Sequence, residues 1–459
     1  MMSKLYRCWF ECTNPACRAT YPLNEPIYQC RLCGGKDKRS GLLTVRHDMD
    51  ALKQRTAKEW MSLFDERYLR TAWPYGSGVW GKKEWVCPVV DNENIVSCLE
   101  GGSNLFWAKR FGQELGLDDF WVKLCGNSHT GSFKDLGMTV LVSMVHQMRS
   151  EGVPIRAVAC ASTGDTSAAL AAYCAAANIP SIVLLPENKI TVPQLIQPLA
   201  NGATTFALDT DFDGCMAVVA ELCKDKGIYL ANSMNSLRLE GQKTIAMEIV
   251  QQFEWQPIDW VVIPVGNCGN ISAIGQGFLM LKELGIIDRL PRIVGAQAEN
   301  ANPLAQLFRE GYPDRPFVPM TPRETQANAI RIGDPISLYK AIDTLKQMPG
   351  HFVLDVTEDE LADACARADR TGLFACPHTG VALAAMMKLV DQGEIHRSDR
   401  VVVISTANGL KFPDFKIAYH SGQAPPGVTA RLSNMPIKVP ASVDAVRDAL
   451  DARLNAVGL

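Results

Sequence analysis

From about residue 100 onward, apolar residues fall into short unbroken runs that alternate with longer helical stretches. "FWVKLC", "AVACA", "SIVLLP", "DWVVIPVG", "RIVGAQA", "HFVLDVT" and "RVVVIST" are runs of strand length, and several empty into loops of glycine and hydroxyl residues. A strand buried on both faces has no polar side to show, so these runs predict parallel sheets covered by helices on both faces. Helices such as "AALAAYCAAA" and "ISAIGQGFLMLKEL" are expected between them. Nearer the start, "MDALKQRTAKEWMSLFDERY" predicts one amphipathic helix, followed by the aromatic loop "WPYGSGVWGKKEW". The tail "ASVDAVRDALDARL" predicts a surface helix capped by Ser442.

Composition narrows the picture. A chain of 459 residues can bury a large core and divides into two or three domains. Hydrophobic residues at 47%, charged residues at 21% and a net charge of -3 fit a soluble protein with no nucleic-acid or anionic-membrane partner. No apolar run spans a bilayer: Ala168 to Pro186 is broken by Asn178 and Pro180. The opening "MMSKLYRCWFEC" lacks a signal or transit pattern, so a cytoplasmic location is expected.

Fifteen cysteines in a reducing compartment should be thiols or metal ligands, and five of them lie within the first 33 residues. Cys12 and Cys17, then Cys30 and Cys33, give C-x4-C, twelve residues, C-x2-C, a set able to hold structural zinc in a tetrahedron. Cys8 could compete as a ligand, and reduced metal-free cysteines are the alternative. A segment of about 40 residues has too little core to fold well alone, so a metal would be physically useful there.

Ligands of parallel sheets bind outside the carboxyl ends of the strands, where loops open helices. "GNCGN" at 266–270 lets backbone N–H groups approach an anion at a helix start, although a tight turn would look the same. "STGDTS" at 162–167 offers hydroxyls and N–H groups suited to a carboxylate, or ordinary helix caps. "STANGLKF" at 405–412 brings Thr406 to a sheet edge. In "GNSHTGSFKDLGM" at 126–138, Lys134 stands between an aromatic and an aspartate, ahead of a greasy helix. A lysine in such partly apolar surroundings can lose its proton near neutral pH and act as nucleophile and base, whereas a helix-start lysine in solvent would do neither. Pyridoxal phosphate is the cofactor that needs both such an amine and a nest of donors for its phosphate.

"EGGSNLFWAKRFG", "SHTGSFKDLGMTVLVS", "CASTGDTSAAL", "IPSIVLLP", "ANSMNSLRLEGQKT", "PVGNCGN" and "STANGLKF", in this order and at about this spacing, resemble the threonine synthases. The resemblance is to the plant-like branch and covers nearly the whole chain from about residue 40. It implies the tryptophan synthase β-like fold of fold type II pyridoxal phosphate enzymes: α/β, two parallel-sheet domains, preceded by a small cysteine-rich ribbon. The implied division is a zinc-ribbon-like module at 1–45, a large domain at 46–127 and 233–430, a small α/β domain at 128–232 and a C-terminal helix at 431–459.

The resemblance further implies that Lys134 is the Schiff-base lysine, that Gly266, Asn267, Cys268, Gly269 and Asn270 cradle the cofactor phosphate, and that Thr406 meets the pyridine nitrogen. Asn232, Ser233 and Arg238 would hold the substrate phosphate, while Ser162, Thr163 and Thr166 would face its α-carboxylate. Asp165 stands where many relatives have asparagine beside the ring's 3-oxygen, so a shared proton or a tilted side chain is expected. His129 is expected to pack or hydrogen-bond rather than act as a base.

The implied reaction is O-phospho-L-homoserine plus water giving L-threonine plus phosphate, in a homodimer. A cysteate synthase-like enzyme or another fold type II lyase is the alternative, and an inactive zinc-ribbon interaction protein is the reading from a different class. "WPYGSGVW" at 73–80 resembles the region near the S-adenosylmethionine effector site of plant enzymes, with an aromatic subunit or interdomain contact as the plainer reading.

Overall fold

A computed structural model describes residues 5–34, 41–162, 164–187, 192–225 and 227–456. The Val/Ile runs form two sheets. The larger takes the order β12-β11-β10-β13-β5-β4, from Phe352–Val356 (β12), Arg292–Ala298 (β11), Trp260–Pro264 (β10), Arg400–Ser405 (β13), Asp119–Leu124 (β5) and Leu105–Trp107 (β4). All its pairings are parallel except β4 with β5. The smaller, wholly parallel sheet runs β8-β7-β6-β9, from Thr204–Leu208, Ser181–Pro186, Ala157–Ala161 and Ile228–Leu230. Every residue of β6 and β10 is buried, which is why neither shows a polar alternation.

β13 pairs with β5 in a register that ends at Ser405 opposite Leu124. The two chains therefore leave the sheet side by side, one into the Thr406 loop and the other into the loop that reaches Lys134. β10, on the other side of β13, delivers the glycine-rich loop to the same edge. This adjacency of carboxyl ends is what assembles the site.

The expected single helix at 49–68 is two helices, Met49–Leu52 and Ala57–Arg67. Thr56 accepts from the Glu59 N–H while the Glu59 carboxylate accepts from Thr56 N–H, a capping box that starts the second helix afresh. The C-terminal helix, Val443–Ala456, has Ser442 Oγ accepting from Ala445 N–H at 3.2 Å.

An antiparallel three-stranded ribbon, β2-β1-β3, is built from Thr20–Tyr21, Cys8–Cys12 and Leu43–His47. It is not a free-standing module. Tyr6 packs on Trp60 with ring centroids 5.6 Å apart, Leu230 N–H donates to Tyr28 Oη at 2.8 Å, and His47 Nε2 lies 2.7 Å from the buried Glu240 carboxylate. The aromatic loop is also largely core. Trp80 is buried and its indole donates to Thr139 Oγ1 at 2.8 Å, on the helix that begins at Lys134.

That helix, Lys134–Ser150, is buried on nearly every side. It crosses Leu237–Gln242 so closely that a Cβ on Gly241 would lie 1.6 Å from the Leu136 carbonyl oxygen, and one on Gly137 would lie 2.8 Å from the Arg238 carbonyl oxygen. Backbone cannot yield as a side chain can. Gly241→Ala is therefore expected to destabilise by about 3 kcal/mol or more, at the upper end of overpacking costs. Urea unfolding reads this, and a cost below about 1 kcal/mol would show that the crossing has slack.

Candidate active site

The loop ahead of Lys134 is folded by the residue after it. Asp135 is buried, and its carboxylate accepts from Ser128 Oγ at 2.5 Å, Thr130 N–H at 2.8 Å and Thr130 Oγ1 at 2.5 Å. Phe133 N–H donates to the Thr406 carbonyl at 2.9 Å, Asn408 N–H donates to the Gly131 carbonyl at 2.9 Å, and Ser132 bridges Ala407. Lys134 is thereby clamped against the end of β13. Burial above all, and then the Arg238 charge, bring its amine down to about 7 against the opposing pull of Asp165. An amine near that value is half-deprotonated at neutral pH, as nucleophilic or basic work requires.

The 266–270 loop offers mainly backbone. Cys268 has φ +63, turning the chain into the Gly269–Glu283 helix, while its own side chain is buried. A Cβ on Gly266 would lie 2.9 Å from Ile330 Cα, so the loop must be glycine to sit there. Asn267, Gly269 and Asn270 are half-buried at the helix start, where unpaired N–H groups and the dipole favour an anion. Asn267 Nδ2 donates to Ser233 Oγ at 3.4 Å, joining this loop to the 232–238 segment.

Arg238 is buried, with Nη2 donating to Thr166 Oγ1 at 3.3 Å. Its Nε and Nη1 are buried without a partner among the described residues, and burial lowers the guanidinium to about 10. A buried cation with unused donors is the signature of a group awaiting an anion. Asn232 is buried and its Oδ1 accepts from Met234 N–H at 2.9 Å, while Ser162 Oγ accepts from Gly164 N–H at 3.2 Å. Thr163 lies outside the described residues.

Asp165 begins the Asp165–Ala176 helix and forms an ion pair with Lys411, Oδ1 to Nζ 3.1 Å. Nothing in the sequence singles out Lys411, although it is the penultimate residue of "STANGLKF". The same holds for Cys376, buried 4.0 Å from the Thr406 hydroxyl and 3.1 Å from Thr379 Oγ1. Burial pushes this thiol up, but hydrogen bonds from His378 and Thr379 outweigh it and leave it at about 7. His378 Nε2 accepts from Ala329 N–H at 3.1 Å, so its other nitrogen is the one that can donate. Neither residue sits in a pattern that announces chemistry. His129 does not pack: it is exposed on the rim of a cleft of about 670 Å³ that Thr130 and Lys411 also line.

Cys12, Cys17, Cys30 and Cys33 converge, with all four Sγ atoms within 4.8 Å of one another. Cys8 lies apart, its thiol hydrogen-bonded to Cys87.

A phosphate-bearing aldehyde asks for an anion cradle at a helix start, a desolvated amine and a polar group at the ring's far edge. The 266–270 loop, Lys134 and the Thr406 hydroxyl are of these kinds, so the residues present fit pyridoxal phosphate. Residues 96–407 match the family model described as pyridoxal-phosphate dependent enzyme. The chain is 54% identical over 442 residues to threonine synthase 2, chloroplastic, of Arabidopsis thaliana, covering 96% of this chain and 84% of that protein. It is 40% identical to the threonine synthase of Methanocaldococcus jannaschii, over 94% of this chain and 97% of that one. Among solved structures, threonine synthase from Escherichia coli superposes with a TM-score of 0.65 at 20% identity, covering 97% of this chain and all of that one, a likeness of fold.

Proposed function

We infer that this chain, which belongs to the pyridoxal-phosphate dependent enzymes and among them to the threonine synthases, converts O-phospho-L-homoserine and water into L-threonine and phosphate. Within that membership, the observation that supports a phosphate-ester substrate is Arg238, a buried guanidinium whose charge acts on the Lys134 amine and whose Nε and Nη1 have no partner among the described residues. A simple hydroxy amino acid, the substrate of a dehydratase, carries only its α-carboxylate, which the 162–166 loop is proposed to face, and has no second anion for Arg238.

In this proposal pyridoxal phosphate is held by Lys134, by the backbone of Gly266, Asn267, Cys268, Gly269 and Asn270, and by Thr406, with Asp165 near the ring's 3-oxygen. When bound, the cofactor withdraws electrons from the substrate's α-amino carbon, making the hydrogens on that carbon and its neighbour acidic. Arg238, Asn232 and Ser233 bind the ester phosphate, a reading that the Asn267–Ser233 contact supports by joining their segment to the 266–270 loop. Ser162, Thr163 and Thr166 face the α-carboxylate. Lys134, released by the incoming amine, is the base that takes the Cα proton and can return one after the phosphate has left.

The decisive assay is release of phosphate and threonine from O-phosphohomoserine by the purified yellow protein, with phosphoserine plus sulfite run beside it. Turnover of the first pair alone is expected. Sulfite-dependent turnover instead would move the chain to cysteate synthesis, and silence in both arms would remove the catalytic reading. A homodimer is part of the same proposal, and sedimentation reads it.

Zinc on Cys12, Cys17, Cys30 and Cys33 also belongs to the proposal, supported by their convergence within 4.8 Å. The ribbon carrying them meets the Arg238 helix through His47–Glu240 and through Ser236 Oγ donating to the Leu43 carbonyl. One zinc per chain is expected, and chelation should lower both the thermal midpoint and turnover. A cofactor-loaded, fully active protein with no zinc by metal analysis would end the claim.

A further inference from the structure

Lys411 makes more contacts than a residue on an exposed loop would need. Its neighbour Leu410 is exposed, whereas the Lys411 side chain turns inward with 13% of its surface accessible. Its stem runs over Gly131, where φ is +82 and a Cβ would lie 3.0 Å from Lys411 Cδ. The glycine thus leaves the space that the stem occupies. At the tip, Nζ lies 2.9 Å from the Thr130 carbonyl, 2.7 Å from Gln197 Oε1 and 3.1 Å from Asp165 Oδ1. Gln197 Nε2 donates to the same Thr130 carbonyl at 3.1 Å. One cation therefore ties the loop before Lys134, the start of the Asp165 helix and the Val192–Ala200 helix to the strand end of the larger sheet.

We propose that Lys411 is a positioning residue for the reaction: it spends the charge of Asp165 by ion pairing and so keeps that carboxylate from becoming the counter-ion of Lys134. The charges that act on the Lys134 amine come from Arg238 and Asp165, whereas Asp135, next in the chain, turns to Ser128 and Thr130. With Lys411 in place Asp165 has a nearer cation than Lys134, and the loop ahead of Lys134 is held by the same atom. Without it, the Asp165 charge, which already favours the protonated Lys134 amine, acts on that amine uncompensated. A protonated, ion-paired Lys134 can neither attack a carbonyl carbon nor accept a proton. The inference rests on the reading of Lys134 as the cofactor-bonding amine, and the Lys411–Asp165 pair would also answer how a carboxylate is tolerated beside the ring's 3-oxygen.

The test is a double-mutant cycle in the full-length chain, using Lys411→Met, Asp165→Asn and the pair. Methionine keeps the apolar stem over Gly131 and removes the charged head together with its hydrogen bonds to Thr130 and Gln197. The pH dependence of Lys134 acylation by acetic anhydride is read by mass spectrometry in cofactor-free protein, alongside cofactor affinity and turnover of the holoenzyme. Lys411→Met is expected to raise the labelling midpoint by about one unit, leaving roughly fivefold less free amine at neutral pH. The double variant should recover most of that shift and part of the lost turnover. An unmoved midpoint in Lys411→Met overturns the proposal, as does a double variant no better than Lys411→Met, since a packing role would not be rescued at position 165. Should the wild type itself prove inactive on O-phosphohomoserine, the functional reading fails, while the labelling cycle still decides the Lys411–Asp165–Lys134 relation.

Discussion

Lys134→Ala is expected to reduce turnover by about ten-thousandfold or more, because one side chain supplies both the covalent anchor and the base. The protein should remain folded. The loop before the helix is organised by Asp135, Thr130 and the Phe133–Thr406 backbone contact, none of which uses the lysine amine. Stability should even improve, with a definite pH signature. Burial brings this amine from 10.5 to about 7, so the folded state disfavours the proton that the unfolded chain holds readily. That cost is complete below about pH 7 and disappears as pH rises through the ordinary lysine value. The stability gained by alanine over wild type is therefore largest on the acid side and fades in alkali, and urea melts across that range will show it. Borohydride treatment of the holoprotein should fix the cofactor to the peptide containing position 134. Fixation elsewhere, or a Lys134→Ala protein that retains its turnover, sinks the assignment.

Much of the layout was legible because the signals were local. A strand buried on both faces must be a continuous apolar run, and "VVIP" and "VVVIS" are that; a loop that lets backbone approach an anion must be short of side chains, and "GNCGN" is that. The division of the 49–68 segment was also written locally, in Thr56 and Glu59, but the apolar spacing across it masks the break. What stayed hidden depends on partners far apart in the chain. Lys411 meets Asp165 nearly 250 positions away, and Cys376 comes to lie near Thr406 only because a helix start is brought to the end of β13. No spacing rule foretells either contact. The ribbon's attachment through His47 and Glu240 is of the same kind, separated by 193 positions. Charge compensation around a site is set by tertiary neighbours, so the sequence pointed to the groups that act more readily than to those that tune them.

Arg238→Met should move stability and activity in opposite directions. Buried donors without acceptors cost the fold roughly 1–3 kcal/mol, and two of the three guanidinium nitrogens have no acceptor among the described residues. Methionine would keep much of the apolar stem that lies against Gly137 and withdraw the unsatisfied head. The ligand-free variant is expected to unfold at a higher urea concentration than wild type. Its kcat/KM on the phosphate ester should nonetheless fall by about a hundredfold to a thousandfold, the range for losing one desolvated charge-assisted contact. Inorganic phosphate provides the check that separates recognition from packing: it should raise the unfolding midpoint of wild type and do so far less in the variant. A variant that loses stability and activity together would make Arg238 a packing element. A variant that keeps its response to phosphate would move the anion subsite elsewhere. A fold that retains a costly cation in its interior must recover that cost when the anion arrives, and the sign of the stability change is the most direct measure of whether Arg238 is such a group.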